Sequence, residues 1–330
     1  MLSDDERVRD ELCRWRREVD VRTTVGPMVW AHLDAGTALP PAFGVGTFIT
    51  ESRVEILPAL GIAAAAALYV LGVRRLRARG RRWSPWRTTS FIAGIVALVV
   101  ATQSGLAAYD TTLFSAHVGQ HVLIGVVAPF LMALGAPITL ALQASHRSTQ
   151  VHLLRVLHAS PVRALTNPIV AWAVFGLTLF VLYFSPLYEL SLRNAFVHEL
   201  VHLHFLVAGS LFFWAVIGLD PIAWRIPYGF RLLLVLLTVP FHAFLGLALY
   251  TGDEPIAGDY YAETARPPAV SALTDQHTGA GVMWIVGDAI GLIAGTVVLA
   301  QWMAHEDRSN RRAEDAEDRA AEDRAAAALT

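Results

Sequence analysis

Long apolar runs set the outer limits on what this chain can become. A bilayer core of roughly 30 Å takes about 20 helical residues to cross. Seven stretches qualify: about 54–73, 89–108, 119–143, 167–184, 198–217, 230–250 and 280–303. Lipid offers the backbone no hydrogen-bond partners, so each run must satisfy its own amides as a helix. The expected fold is therefore all-α, a polytopic membrane protein built as a bundle of seven transmembrane helices. Only 16% of the 330 residues are charged and 55% are hydrophobic, whereas a water-soluble domain carries about a quarter charged residues. Thr88-Thr89-Ser90 and Asn167-Pro168 supply start signals for the second and fourth helices. Pro129, Pro137 and Pro240 fall inside runs and predict kinks.

Loop charge orients the bundle. The first loop carries Arg74, Arg75, Arg77, Arg79, Arg81, Arg82 and Arg87, the third Arg147, Arg155 and Arg163, and the fifth Arg225 and Arg231. The alternate loops are poor in bases: 109–116 has none, and 251–279 sets Arg266 against Asp253, Glu254, Asp259, Glu263 and Asp275. Bases collect on the cytoplasmic side, which places the amino terminus outside and the carboxyl terminus in the cytoplasm. The amino-terminal arm resists this assignment, since it holds Arg7, Arg9, Arg14, Arg16, Arg17 and Arg22 among its acids. Segment 24–50, with Asp34 and Pro40-Pro41, makes a poor span. Residues 1–22 lack the apolar core of a cleavable signal peptide. Three regions follow: a charged arm and pre-helix segment over 1–53, the membrane domain over 54–303, and a charged cytoplasmic tail over 304–330. The tail repeats Ala-Glu-Asp-Arg and reads as a solvated helix or a disordered segment.

Several function classes fall away. All 26 basic residues are arginine, so no lysine amine exists to form a retinal Schiff base. Cys13 is the one cysteine, which excludes an intrachain disulfide and a cysteine-ligated zinc site. No basic patch lies beside stacking aromatics, so no nucleic-acid partner is expected. Arginine in place of lysine points to a bacterium with a GC-rich genome, and hence to its cytoplasmic membrane.

Ionisable groups inside a membrane are costly and usually functional. The third run opens with His117 and His121, the fifth with His198 and His202. A spacing of four puts each pair on one helix face, one turn apart. His242 lies in the sixth run, about 12 Å below its outer end at 1.5 Å per residue. The imidazoles should therefore share one slab of the outer leaflet. This predicts a metal or haem site with His117, His121, His198 and His202 as ligands; His242, a single histidine, reads more as a hydrogen-bonded core residue than as a ligand on spacing alone. Glu199, Asp275, His277, Met283 and Asp288 are additional ligands or supporting groups. His204 falls on another face and reads as packing, and Met283 more as packing than as a soft ligand. Asp288 reads as a buried partner or a relay. His146, His152 and His158 belong to an inner loop, and His32 and His305 carry no signal.

His198-Glu199-Leu-Val-His202 also fits the H-E-x-x-H zinc protease pattern, though this does not explain the pair at His117 and His121. Imidazole suits zinc, copper and iron alike. Two axial histidines from different helices would instead hold a haem. A scaffold whose histidines only bridge helices is the remaining alternative.

At these residues the chain resembles the CtaG family of membrane-embedded cytochrome c oxidase assembly factors. The matching segments are Phe114-Ser-Ala-His117-Val-Gly-Gln120-His121-Val-Leu123 with Ala128-Pro129 and Leu134-Gly-Ala-Pro137; His198-Glu-Leu-Val-His202-Leu-His204-Phe205; Pro240-Phe-His242-Ala-Phe-Leu-Gly246; and Asp275-Gln276 with Met283-Trp284. The resemblance runs from about 54 to 303. It implies an assembly role with oxidase subunits as partners and copper as cargo, not turnover of a substrate. It also implies that His117, His121, His198, His202 and His242 are copper ligands. A haem-binding electron carrier and an intramembrane zinc metalloprotease are the alternatives. His277 stands where the family pattern has glutamine, and the arm at 1–22 is foreign to that pattern. Copper is expected to arrive through the acidic loop 251–279.

Overall fold

The computed structural model describes residues 41–52, 54–224, 226–264 and 270–328. The charged arm, Cys13, His32 and most of segment 24–50 lie outside them. Among the described residues all regular structure is helical. Six helices are long and apolar enough to cross a membrane: Ile56–Ala78, Pro85–Tyr109, Phe114–Leu134, Ala195–Ile217, Tyr228–Tyr250 and Ala272–Arg319. A seventh crossing arises if Pro168–Tyr183 and Leu187–Arg193, bent by 72°, count as one span. The chain is a multi-pass membrane protein, and spans are numbered below in chain order, with the bent pair as the fourth.

The second span begins at Pro85 behind Ser84, so Thr88-Thr89-Ser90 lies inside it and does not start it, and three others depart further. The third starts at Phe114 and ends at Leu134, not 119 and 143. Ala136 turns into the left-handed region (φ 48°), and Pro137 starts a separate eight-residue helix, Pro137–Ala144. The fourth bends because Ser185 and Pro186 break it: the Ser185 hydroxyl donates back to the Val181 carbonyl and accepts from Leu187 N–H. The seventh begins at Ala272 and continues without a break through Ala328.

The third span also changes pitch, with a π-helical turn over Leu123–Val127. Pro129 has no N–H to offer the carbonyl of Gly125, and the helix widens where that bond is lost. The fifth span crosses here through Gly209. A side chain at Gly209 would collide with the Gly125 carbonyl and with Pro129, so a glycine is required for the approach. The start of the fifth span is fixed by Asn194, whose side chain accepts from Phe196 and Val197 N–H at 3.0 and 3.2 Å.

The third span's first turn is capped from another helix. Asp275, at the start of the seventh span, accepts from Phe114 N–H at 2.6 Å and from the Ser115 hydroxyl at 2.5 Å. The first span is tied down at both ends. Its Tyr69 hydroxyl donates to the Gly135 carbonyl and accepts from Trp83 Nε1–H. At its other end Gln103, on the second span, bonds both the N–H and the carbonyl of Glu55. Arg147–Leu157 is a short amphipathic helix with no buried residue, and it carries the exposed His146, His152 and His158 region.

Candidate metal centre

The third and fifth spans start at the same end of the bundle and present their histidine pairs to each other. Ring centroids are 4.0 Å apart for His117 and His121 and 4.3 Å for His198 and His202. Across the interface His117 lies 5.4 Å from His198, and His121 lies 5.1 Å from His202. All four are buried, with exposures of 0%, 2%, 6% and 5% in chain order. The histidine site is thus closed over rather than open to an outer surface. Tyr188 covers one side, 5.1 Å from His117, and its hydroxyl bonds that of Tyr261.

Ligand atoms of His117, His121 and His198 lie within 4.8 Å of one another, as do those of Asp110, His198 and His202 and those of Glu55, Glu199 and His202. Asp110 sits in the loop after the second span, with its Oδ2 3.2 Å from His198 Nε2. Burial works against its charge, yet His198, with His202 and His117 beyond it, holds its carboxyl below the usual range. His202 Nε2 meets the side-chain oxygen of Gln120 at 3.1 Å, and Gln120 is itself anchored to the Ala101 carbonyl. Both ring nitrogens of His117 and of His121, and Nδ1 of His198 and of His202, are buried with no hydrogen-bond partner. Buried polar atoms are nearly always paired, so a cluster of orphan lone pairs is what a cation site needs. The donor set fits a small metal ion. It fits haem poorly, because the rings pack too closely to leave a slot for the macrocycle.

The remaining candidates are distributed otherwise. His242 joins none of these groups. Its ring lies against Gly287 of the seventh span, where any added Cβ would meet it, and Phe175 flanks it at 6.0 Å. It does line a cavity of about 20 Å³ together with His121 and the buried Met283, room for about one water. Helical spacing along one span could not give its rotation. Asp275 is committed to its cap on the third span. His277 faces Tyr250 at 4.9 Å. Asp288 sits half-buried along the seventh span. Glu199 is half-buried beside Glu55 and His202. His204 bonds the Thr178 hydroxyl at 2.8 Å, consistent with the packing role expected of it. Asp110 and Glu55 were missed by sequence reasoning, since neither stands in any periodic relation to a histidine.

Residues 67–305 match the family model described as cytochrome c oxidase caa3 assembly factor. Uncharacterised proteins of Mycobacterium bovis and Mycobacterium tuberculosis are each 33% identical over 295 residues, covering 87% of this chain and 44% of their own length. One of Mycobacterium leprae is 32% identical over 280 residues, covering 83% of this chain and 42% of its own. The chain therefore spans less than half the length of these curated relatives. No solved structure matches it. Through that match over its membrane helices and histidine motifs, this chain belongs to the Caa3_CtaG family of cytochrome c oxidase caa3 assembly factors.

Proposed function

We propose that this chain assists cytochrome c oxidase maturation by holding copper in transit at His117, His121, His198 and His202. Oxidase subunits are the recipients, and the setting is a bacterial cytoplasmic membrane with the cluster on its outer side. The chain turns over no substrate in this reading. One observation carries it: four buried imidazoles from two spans, rich in unpaired nitrogens, with ligand atoms of His117, His121 and His198 within 4.8 Å of one another and His202 joined to His198 in a second such group. Metal–imidazole bonds are about 2.0–2.1 Å long, so ligands on opposite sides of an ion stand about 4 Å apart, and small side-chain rotations close the set. The absence of thiolate ligands favours release over storage.

The test replaces His121 and His202 with alanine. The variant should insert normally, lose copper on purification and leave the oxidase short of copper. Unchanged oxidase copper in cells carrying the double variant would overturn the role. A Soret band in the purified protein would favour haem instead. A zinc peptidase has one observation in its favour, the grouping of Asp110 with His198 and His202 beside Glu199. That reading requires Glu199→Gln to abolish peptide cleavage while leaving metal content intact.

A further inference from the structure

We infer that the cluster is a relay of three overlapping positions for a monovalent cation, with Glu55 and Glu199 as its mouth. The inference rests on the copper reading above and adds the route of entry. The three ligand groups form a chain: Glu55, Glu199 and His202; then Asp110, His198 and His202; then His117, His121 and His198. Each neighbouring pair of groups shares one histidine. A bare ion in a low-dielectric interior loses a large solvation energy, and a shared ligand means the ion is never fully stripped between positions.

Burial and charge both change along this series. Glu55 and Glu199 are half-buried, whereas His117 and His121 are almost wholly enclosed. The groups hold two carboxylates, then one, then none. The outermost therefore draws a cation in, and the innermost, made of neutral imidazoles, suits a single positive charge better than a double one. The mouth is more than a pair of acids. His202 reaches it from the interior, 5% exposed and with Nδ1 unpartnered, and the backbone of Glu55 is clamped by two bonds to Gln103. None of the three groups includes an acid from loop 251–279, so the entry route differs from the one expected of that loop.

The experiment mixes the purified full chain with Cu(I) held by a chromophoric chelator and follows transfer in a stopped-flow instrument. Glu55→Gln with Glu199→Gln should slow uptake about tenfold, at the low end for electrostatic steering into a cleft. Wild-type uptake should slow as salt rises, and that of the double variant should not. Where the double variant does not fold, Glu199→Gln alone should show part of the slowing and part of the lost salt dependence. Wild-type uptake rates in the variants, or a lower final ratio reached at an unchanged rate, would overturn the relay and leave the copper role standing. A wild-type chain that takes up no Cu(I) would remove the copper role, and the relay with it.

Discussion

Replacing Asp275 with asparagine separates a structural residue from a ligand. Its carboxylate accepts from Phe114 N–H, Ser115 N–H and the Ser115 hydroxyl, and it is 3% exposed. Asparagine keeps one acceptor oxygen but turns an amide donor toward the other side, leaving a buried donor unmatched at a cost of about 1–3 kcal/mol. It also removes a negative charge from the start of a helix, worth about 1–2 kcal/mol where burial is this complete. The two terms together predict a loss of about 2–5 kcal/mol. Unfolding titrations in detergent should register that loss, and amide exchange at Phe114 and Ser115 should speed up as the first turn loosens. Because His117 stands one turn further in, copper should be lost as stability falls. A variant as stable as wild type, with protected Phe114 and reduced copper, would refute the cap and make Asp275 a ligand after all.

Three further outcomes follow from the packing. Gln120→Leu removes the group that orients His202, and copper affinity should fall about 10–100-fold with the helices still folded; competition against a chelator of known affinity measures it. Gly209→Ala drives a methyl into the Gly125 carbonyl and should cost about 1–3 kcal/mol, spreading the third and fifth spans; unchanged thermal stability in detergent would contradict the contact. Met283→Leu conserves volume and should cost under about 1.5 kcal/mol with copper content unaltered, as expected for a cavity wall; a drop in bound metal would make the thioether a ligand.

Much of this architecture was readable from local pattern. The apolar runs located the spans to within a few residues at most ends, and a spacing of four put each histidine pair on one face. The misplacements occur where a property depends on helices meeting. Nothing along one helix reports how His242 is rotated, and its ring lies against Gly287. Asp110 and Glu55 reach the histidines only after helix ends distant in sequence converge. Asp110 stands 88 residues from His198 and carries no motif; its one sequence signal is an acid just after an apolar run, in the loop that leads into a histidine-bearing helix. Asp275 reads in the sequence as an additional ligand or a supporting group, and nothing local shows that its carboxylate reaches Phe114 and Ser115 on another span. The 72° bend was written in Ser185-Pro186, and the π turn in Pro129, but neither residue states the angle or the pitch that results.

The last helix has mechanical consequences. At 1.5 Å per residue its 57 residues make a rod about 85 Å long, of which lipid covers roughly 30 Å. Asp275 at one end braces the turn that bears His117, while the opposite end stands tens of ångströms clear of the bilayer. Any load on the helix beyond the lipid would reach the first turn of the third span, and the histidine it carries, through one unbroken run of backbone hydrogen bonds.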